Sequence, residues 1–400
     1  MMRSGLLVRS KFSSIVNEMR PSAIDITLKV LSDPEMISFG GGMPNPESFP
    51  VNEILQILNE RFPTKGKNML QYGPINGTES LRNAISEMLL KREGIKISPN
   101  NIILTSGSQQ GLYMLGKLLA DRGDYVITEA PTYVDAIVSF RASGIRMIGV
   151  EMDSAGMKTE KLRETLKRYP RPRFIYVIPN FQNPTGITMS LERRKEILEI
   201  VEEKGIALIE DDPYGNLRFC GRKIPPIKSL DESGDTIYLG TFSKILSPGL
   251  RLGYIAGPDD VIEKLLLEKE AIDIGSSTLS QFIAEEYISR GYLEKHIPKI
   301  IKLYKHKRDL MIESFESYFP DNVQFTRPEG GMFIWVTKKG TNTDKMLPFA
   351  INRKVVYVVG SAFYPNRGDH SSMRLNFTYS SDENIVEGVK RLASVFRDYS

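Results

Sequence analysis

Short apolar runs alternate with amphipathic stretches through the middle of the chain. Runs rich in β-branched residues predict strands at 102–105, 124–128, 146–150, 174–178, 206–210 and 236–240. The stretches between them have helical spacing; one begins after Ser190, an N-cap residue type, and stops at Gly205. Strands that alternate with helices in this way form mostly parallel sheets covered on both faces, so the pattern predicts an α/β fold.

The pattern changes after about residue 285. A long charged helix is predicted around 293–318, followed by strands at 332–336, 355–358 and 373–379. We therefore expect a large α/β domain over residues 49–285 and a smaller α+β domain over residues 286–400. Residues 1–48 include most of the Gly- and Pro-rich stretch SFGGGMPNPESFP (38–50) and are expected to form an arm that packs on the small domain and at a dimer interface.

Composition narrows the classes of ligand. A length of 400 residues exceeds the usual single core, and 53 Lys and Arg against 49 Asp and Glu leave a net charge of only +4. This balance argues against nucleic acid or a membrane as the main partner and favours small molecules. With one cysteine, Cys220, and three histidines that lack metal-ligand spacing, we expect no metal site and a reducing, cytoplasmic location. The N-terminal sequence is MMRSGLLVRSKFSSIV. Its apolar run is shorter than the apolar region of a signal peptide.

Polar residues follow the predicted strands. Ligands of open α/β sheets bind beyond the carboxyl ends of the strands, so these residues are expected to converge. The segments are SGSQQG after the first strand, Tyr133 after the second, PNFQNPTG with Asn183, EDDPYG with Asp211, Asp212 and Tyr214, and GTFSKILSPGLRLGY with Lys244 and Arg251.

This set has a chemical logic. The helix start after SGSQQG and Arg251 suit a phosphate, and Tyr133 suits the face of a flat heteroaromatic ring. A carboxylate suits a ring nitrogen, an amide with a phenol suits a ring oxygen, and Lys244 suits an aldehyde, with which it forms a Schiff base. Pyridoxal 5′-phosphate carries all of these groups.

Six motifs in order resemble the fold-type I, class I/II aminotransferases that use pyridoxal phosphate. The motifs are QYGPINGTESLR (71–82), SGSQQGL (106–112), NPTG (183–186), DDPYG (211–215), FSK with GLRLGY (242–254), and RPEGGMFIW with MRLNFTY (327–335 and 373–379). Within the family the sequence most resembles the branch of 2-aminoadipate and kynurenine aminotransferases. The resemblance spans nearly the whole chain.

The resemblance implies a role for each matching residue around the cofactor ring. Lys244 would hold the cofactor and then move a proton between the substrate α-carbon and the cofactor. Asp211, three residues before Tyr214 as in the family's Asp-x-x-Tyr pattern, would pair with the pyridine nitrogen, whereas Asp212 would be structural. Asn183 and Tyr214 would bind the phenolic oxygen of the ring, and Tyr133 would stack on its face.

The resemblance also assigns the phosphate and the substrate. The phosphate would be held by Arg251, Thr241, Ser243, Ser108 and Gln109. Tyr72 resembles the tyrosine that reaches the phosphate from a neighbouring subunit, which implies a homodimer with sites at its interface. Arg374 would bind the substrate α-carboxylate bidentately, with the backbone of Gly42 nearby.

The function expected from this resemblance is ping-pong transamination between an L-amino acid and a 2-oxo acid, with 2-oxoglutarate as the expected acceptor. Donors would be 2-aminoadipate, aromatic amino acids or kynurenine. No second arginine is assigned to a distal carboxylate; Arg20 lies near the arm, flanked by Glu18 and Asp25, whose charge argues against an acid-selective pocket. We therefore expect broad specificity.

Two alternatives remain open from the sequence. A β-lyase or decarboxylase on the same fold would retain Lys244 and Asp211 but release a different product. An effector-binding domain of a transcription regulator would need an attached DNA-binding domain, for which the stretch before residue 50 is expected to be too short.

Overall fold

The computed structural model describes residues 11–19, 33–366 and 368–399. In chain order its strands are β1 (Ile37–Ser38), β2 (Ile102–Thr105), β3 (Tyr125–Ala130), β4 (Arg146–Asp153), β5 (Gly156–Met157), β6 (Phe174–Val177), β7 (Ala207–Asp211), β8 (Ile237–Thr241), β9 (Gly253–Ala256), β10 (Val323–Phe325), β11 (Phe333–Lys338), β12 (Val355–Val356), β13 (Val358–Val359) and β14 (Ser372–Asn376). Its α-helices are α1 (Ser14–Glu18), α2 (Val51–Met69), α3 (Glu79–Glu93), α4 (Ser108–Leu119), α5 (Val134–Ala142), α6 (Thr159–Arg168), α7 (Leu191–Lys204), α8 (Ile227–Leu230), α9 (Asp259–Ile272), α10 (Thr278–Ser289), α11 (Tyr292–Tyr318), α12 (Thr343–Asn352) and α13 (Asp382–Asp398).

A large mixed sheet forms the centre of the molecule, with the strand order β2-β9-β8-β7-β6-β3-β4-β5. Its central strands β4, β3, β6, β7 and β8 are parallel neighbours, whereas β9 is antiparallel to both β2 and β8. One face packs on α4, α5 and α9, and the other on α6 and α7. The predicted α/β fold with a mostly parallel, doubly covered sheet is confirmed.

The six strands predicted for this sheet are present, with ends that differ by at most three residues. The sequence prediction missed β9, because its apolar run between Gly253 and Gly257 is short. In the sheet this strand lies between β2 and β8, the strands that lead into two segments of the site. A Cβ on Gly253 would lie 2.8 Å from the Gly107 carbonyl carbon, so glycine permits the close approach of the loop that starts α4.

A second, antiparallel sheet has the order β10-β11-β14-β13, and α11 packs against α13 beside it. The predicted strand at 355–358 is wrong as a single element: β12 pairs with β1, whereas β13 pairs with β14. The strand predicted at 373–379 ends at Asn376, because the Asn376 side chain accepts hydrogen bonds from the backbone N–H of Thr378 (2.7 Å) and Tyr379 (3.2 Å) and turns the chain.

The described part of the arm packs on the second sheet. β1 pairs with β12, and the Phe39 carbonyl accepts the Asn376 N–H at 2.8 Å. Residues 285 and 286, on either side of the expected domain boundary, both lie within α10, so this helix continues across it. The division into domains stays a prediction.

Among the described residues, no helix combines the length and apolar character needed to cross a membrane. Within the same ranges, no group of three or more His, Cys, Asp or Glu side chains is arranged to hold a metal ion.

Candidate active site

A cavity of about 480 Å³ opens beyond the carboxyl ends of β6, β7 and β8. It is lined by all the residues that the sequence analysis singled out for the site except Tyr72: Gly42, Ser108, Gln109, Tyr133, Asn183, Asp211, Tyr214, Thr241, Ser243, Lys244, Arg251 and Arg374. Tyr72 lies outside the cavity of its own chain, and its side chain is 84% exposed.

One end of the cavity is an anion cradle. Helix α4 begins at Ser108, and its free N–H groups favour negative charge there. The Thr241 and Ser243 hydroxyls lie 3.0 Å apart at the end of β8. Arg251, with a left-handed φ of 49°, donates from Nη2 to the Ser106 carbonyl at 3.3 Å. Two hydroxyls, a helix N-terminus and a guanidinium thus surround a space suited to a phosphate.

Gln109 takes a different position from the one its expected role suggests. Its side-chain amide donates to the Ser139 hydroxyl (2.7 Å) and to the Asp135 carbonyl (3.0 Å), both on α5. The Gln109 side chain therefore ties α4 to α5, and its backbone N–H in the first turn of α4 is the group available to an anion.

The side chains of Asp211 and Asp212 lie on opposite faces of the sheet. The two residues are consecutive at the end of β7, where side chains alternate between faces. Asp211 lines the cavity; its Oδ2 accepts the Tyr176 hydroxyl at 2.7 Å, and its buried Oδ1 has no hydrogen-bond partner among the described residues. Asp212 instead accepts the Tyr238 hydroxyl (3.0 Å) and the Gly215 N–H (2.8 Å). Burial raises the pKa of Asp211 to about 7, while the Tyr176 hydrogen bond lowers it.

Asn183, Tyr214 and Arg374 form a chain of buried hydrogen bonds on the other side of the cavity. Asn183 Oδ1 accepts from Arg374 Nη1 at 2.9 Å, and Asn183 Nδ2 donates to the Tyr214 hydroxyl at 3.4 Å. Arg374 Nη2 donates to the Gly40 carbonyl at 2.8 Å, so the acceptors of this fully buried guanidinium within the described chain are neutral.

The Arg374 guanidinium is also flanked by aromatic rings. The Phe333 and Phe363 ring centroids lie 4.1 Å and 5.0 Å from Arg374 Cζ. Burial lowers the pKa of Arg374 to about 10, which leaves the group charged at neutral pH. A buried cation held by neutral acceptors, with Nε lacking a partner among the described residues, suits an anionic ligand.

The Lys244 amine donates to the Gly42 carbonyl at 2.8 Å. Burial, together with the positive charges of Arg374 and Arg251, lowers the pKa of Lys244 to about 8, and the Asp135 carboxylate opposes that change. A substantial neutral fraction of amine is therefore present near physiological pH. Neutral amine is the form that attacks an aldehyde.

The sequence analysis missed several cavity residues. Asp135 lies in the first turn of α5, two residues after Tyr133, and burial together with the Asp135 carboxylate raises the pKa of Tyr133. Phe333 and Met43 also line the cavity. The signal for Asp135 was its position beside Tyr133 at a helix start, but an acidic residue in a first helical turn is common for purely structural reasons.

The residues present fit pyridoxal 5′-phosphate. Asp211 Oδ1 is a buried acceptor without a partner in the described chain, as the ring nitrogen requires, and the cradle around Ser108, Thr241 and Arg251 suits the phosphate. Lys244 is available for the aldehyde, and Tyr133 borders the space for the ring.

The fold and this site define a pyridoxal-phosphate-dependent aminotransferase. The chain belongs to the class I and II aminotransferases, whose sequence profile matches residues 34–392. It is 43% identical over 392 residues to aromatic-amino-acid aminotransferase 1 of Thermococcus litoralis, covering 97% of this chain and 94% of that protein.

Solved structures agree. A kynurenine aminotransferase of Pyrococcus horikoshii, in complex with PMP, superposes with a TM-score of 0.94 at 44% identity and 98% coverage of both chains. The α-aminoadipate aminotransferase of Thermus thermophilus, complexed with N-(5′-phosphopyridoxyl)-L-leucine, gives a TM-score of 0.91 at 34% identity, again with 98% of both chains covered. The resemblance stated from the motifs is confirmed.

Proposed function

We propose that this enzyme transfers the amino group of aromatic amino acids, kynurenine and 2-aminoadipate to 2-oxoglutarate. The cycle is ping-pong, so the keto acid of the donor leaves before the acceptor binds. The observation that carries the proposal is the pairing of Lys244 with the buried Arg374 in one cavity, because an amine and a carboxylate-binding guanidinium are what transamination of an α-amino acid needs. The names of the relatives support the choice of donors.

Pyridoxal phosphate, when bound, supplies the aldehyde that takes up the amino group and the ring that withdraws electrons from the α-carbon. Asp211 would contact its ring nitrogen, Asn183 and Tyr214 its phenolic oxygen, and Tyr133 its face. Ser108, Gln109, Thr241, Ser243 and Arg251 would hold its phosphate.

Lys244 acts as the acid and base. Its amine, with a pKa lowered to about 8, would take the α-proton of the donor and deliver a proton to the cofactor, and in the second half of the cycle it would move a proton from the cofactor to the α-carbon of the acceptor. A pKa close to the working pH allows both directions of transfer, since the amine and the ammonium are both populated.

Arg374 orients the substrate. Its guanidinium binds the α-carboxylate of donor and acceptor in turn, and its hydrogen bonds to Asn183 and Gly40 fix it against rotation. Fixing the carboxylate fixes the direction of the Cα–H bond relative to the Lys244 amine, which lowers the entropic part of the barrier.

The cavity walls favour neutral or aromatic donor side chains. Phe333, Met43 and Tyr133 provide apolar surface, and the Asp135 carboxylate repels a second carboxylate on the donor. Arg20, the cation considered for a distal carboxylate, lies outside the described residues. The apolar walls and the Asp135 carboxylate lead us to rank aromatic donors and kynurenine above 2-aminoadipate.

We also propose a homodimer. Apolar side chains are exposed directly after α2, on α9 and in the loop after α9, with Leu70 at 70%, Leu267 at 63% and Ile274 at 55%. These side chains are candidates for a contact with a second copy of the chain. A dimer would cover it and would place Tyr72 beside the phosphate of the partner's site. The cytoplasmic location stays a prediction.

The test of the function is a donor assay. The enzyme reconstituted with pyridoxal phosphate is mixed with phenylalanine, kynurenine or 2-aminoadipate, and glutamate and the donor keto acid are measured with and without 2-oxoglutarate. We expect equimolar products that require the acceptor, a loss of at least about a thousandfold in Lys244→Ala, and normal rates in Lys161→Ala, which removes an exposed lysine paired with Glu164. Continuous release of pyruvate with ammonia, or of carbon dioxide with an amine, in the absence of acceptor would instead identify a β-lyase or a decarboxylase.

A further inference from the structure

A buried tyrosine holds the carboxylate at the base of the cavity. The Tyr176 hydroxyl donates to Asp211 Oδ2 at 2.7 Å, and the Tyr176 side chain is fully buried. Asp211 Oδ1 has no partner within the described chain and belongs to a cavity-lining residue. One oxygen of the carboxylate is thus fixed by the protein, and the other remains available to a ligand.

Strand register brings these two side chains together. Tyr176 on β6 pairs with Ile209 on the parallel strand β7, and Asp211 follows two residues later on the same face. The Tyr176 ring packs edge-to-face on Phe140, with centroids 5.5 Å apart and an interplanar angle of 82°. This packing restricts the ring, so the direction of its hydroxyl is set by the fold.

The hydrogen bond also favours the charged form of Asp211. Burial and the neighbouring Asp212 carboxylate both raise the pKa of Asp211, and the Tyr176 hydrogen bond acts in the opposite direction. Without the hydroxyl, Oδ2 would be a second buried oxygen lacking a partner, and the neutral acid would be favoured.

We propose that Tyr176 is a positioning residue for the cofactor: it fixes Asp211 Oδ2 so that Oδ1 faces the ring nitrogen, and it stabilises the carboxylate charge that this contact needs. The inference rests on the proposed assignment of Asp211 to that nitrogen. It adds a residue that the motifs did not indicate and that touches neither substrate nor cofactor.

The chain offers a matched control one strand away. The Tyr238 hydroxyl donates to Asp212 Oδ2 at 3.0 Å, and Tyr238 is 2% exposed. Asp212 Oδ1 accepts the Gly215 N–H at 2.8 Å, so both oxygens of this carboxylate are occupied by protein, and Asp212 does not line the cavity. Removing the Tyr238 hydroxyl therefore tests the cost of losing a buried Tyr–Asp hydrogen bond that has no role at the cofactor.

The experiment titrates the apoproteins of Tyr176→Phe and Tyr238→Phe with pyridoxal phosphate and records the dissociation constant and the absorbance of the bound cofactor. Thermal unfolding and circular dichroism of each apoprotein establish that it is folded. We expect about tenfold weaker binding or more in Tyr176→Phe, with a shifted pH midpoint of the absorbance change, and binding within about twofold of wild type in Tyr238→Phe. Wild-type affinity in Tyr176→Phe, or an equal loss in both variants, would overturn the proposal.

A double-mutant cycle distinguishes two outcomes. Either Tyr176 does not act through Asp211, or Asp211 does not contact the ring nitrogen of the cofactor. Asp211→Asn should weaken pyridoxal phosphate binding by itself, and adding Tyr176→Phe should cause little further loss, because Tyr176 acts through Asp211. Additive losses would contradict the coupling. Unchanged binding in Asp211→Asn would refute the assignment of Asp211 to the ring nitrogen, and the role of Tyr176 with it.

Discussion

At the scale of single residues, the two adjacent carboxylates at the end of β7 show what sequence reasoning could reach. The Asp-x-x-Tyr spacing selected Asp211 over Asp212, and the structure places Asp211 in the cavity and Asp212 on the opposite face. Tyr176 could not be selected in this way. Its contact depends on the register between β6 and β7, and a tyrosine within an apolar strand gives no signal of its own.

The pH dependence of apoprotein stability tests the environment of Asp211. Its pKa is raised from 3.8 to about 7, so the unfolded chain ionises first, and the stability this group contributes at low pH is lost as the pH rises toward 7. Asp211→Asn avoids that loss. We expect the variant apoprotein to gain up to about 4 kcal/mol over wild type at pH 8 and progressively less toward pH 4, measured by urea unfolding. If the free energies of unfolding of variant and wild type differ equally at pH 8 and pH 4, burial does not raise the pKa of Asp211.

Asp135 provides a prediction about donor choice. Replacing this cavity carboxylate by Asn removes a negative charge while keeping the shape of the side chain. In Asp135→Asn we expect kcat/KM for 2-aminoadipate to rise relative to phenylalanine by about three- to tenfold or more, since a like charge about 4 Å away costs about 1 kcal/mol in a water-like dielectric and more where water is excluded. An unchanged ratio would show that Asp135 does not face the donor side chain.

At the scale of elements, the helices and strands that alternate along the chain were predictable from their periodicity. The failures have local causes: the apolar run of β9 has only three residues between two glycines, and the segment 355–358 changes sheets within four residues. The hydrophobic pattern alone predicts neither the short strand nor the change of sheet. Strand β9 carries the close approach at Gly253, so the element that was missed helps to shape the anion cradle.

Substitutions at two glycines with positive φ, Gly107 and Gly94, test whether the turn before α4 positions Arg251. Gly107 has φ 75°, and a Cβ there would lie 2.6 Å from Arg251 Nη2, whereas a Cβ at Gly94, with φ 71°, would have no atom of the described chain within 4 Å. Gly94 lies in the left-handed helical region, where Ala costs about 1 kcal/mol, whereas Gly107, with ψ 168°, lies in a region nearly confined to glycine, where Ala costs up to about 3 kcal/mol. Gly107→Ala should also displace Arg251 and weaken pyridoxal phosphate binding by about tenfold or more, measured by titration, while Gly94→Ala should leave that affinity unchanged. Equal affinities of the two variants for pyridoxal phosphate would show that Arg251 does not help to hold the phosphate.

At the scale of the whole molecule, the site lies where the ends of the central strands meet Arg374 from the antiparallel sheet. The resemblance to the aminotransferase family implied this meeting. Tyr72 is different: it is exposed and lies outside its own cavity, so its expected role requires a second copy of the chain.

Mixed dimers test the role of Tyr72. Tyr72→Ala and Lys244→Ala are each expected to be nearly inactive, because every site in either homodimer lacks one group. After equal mixing with subunit exchange, half the dimers are hybrids with one intact site, so activity should recover to about a quarter of wild type. Failure to recover after demonstrated exchange would place Tyr72 outside the partner's site.

The proposed function requires Lys244 and the cofactor to carry an amino group from donor to acceptor. The most direct measurement is a single-turnover experiment in which the pyridoxal phosphate enzyme is mixed with excess phenylalanine and no acceptor. We predict one phenylpyruvate per active site with a matching loss of cofactor absorbance. Once the unreacted phenylalanine has been removed, adding 2-oxoglutarate should give one glutamate per site and restore the absorbance. Continued keto acid formation without acceptor, or no change of absorbance with any donor, would contradict the account.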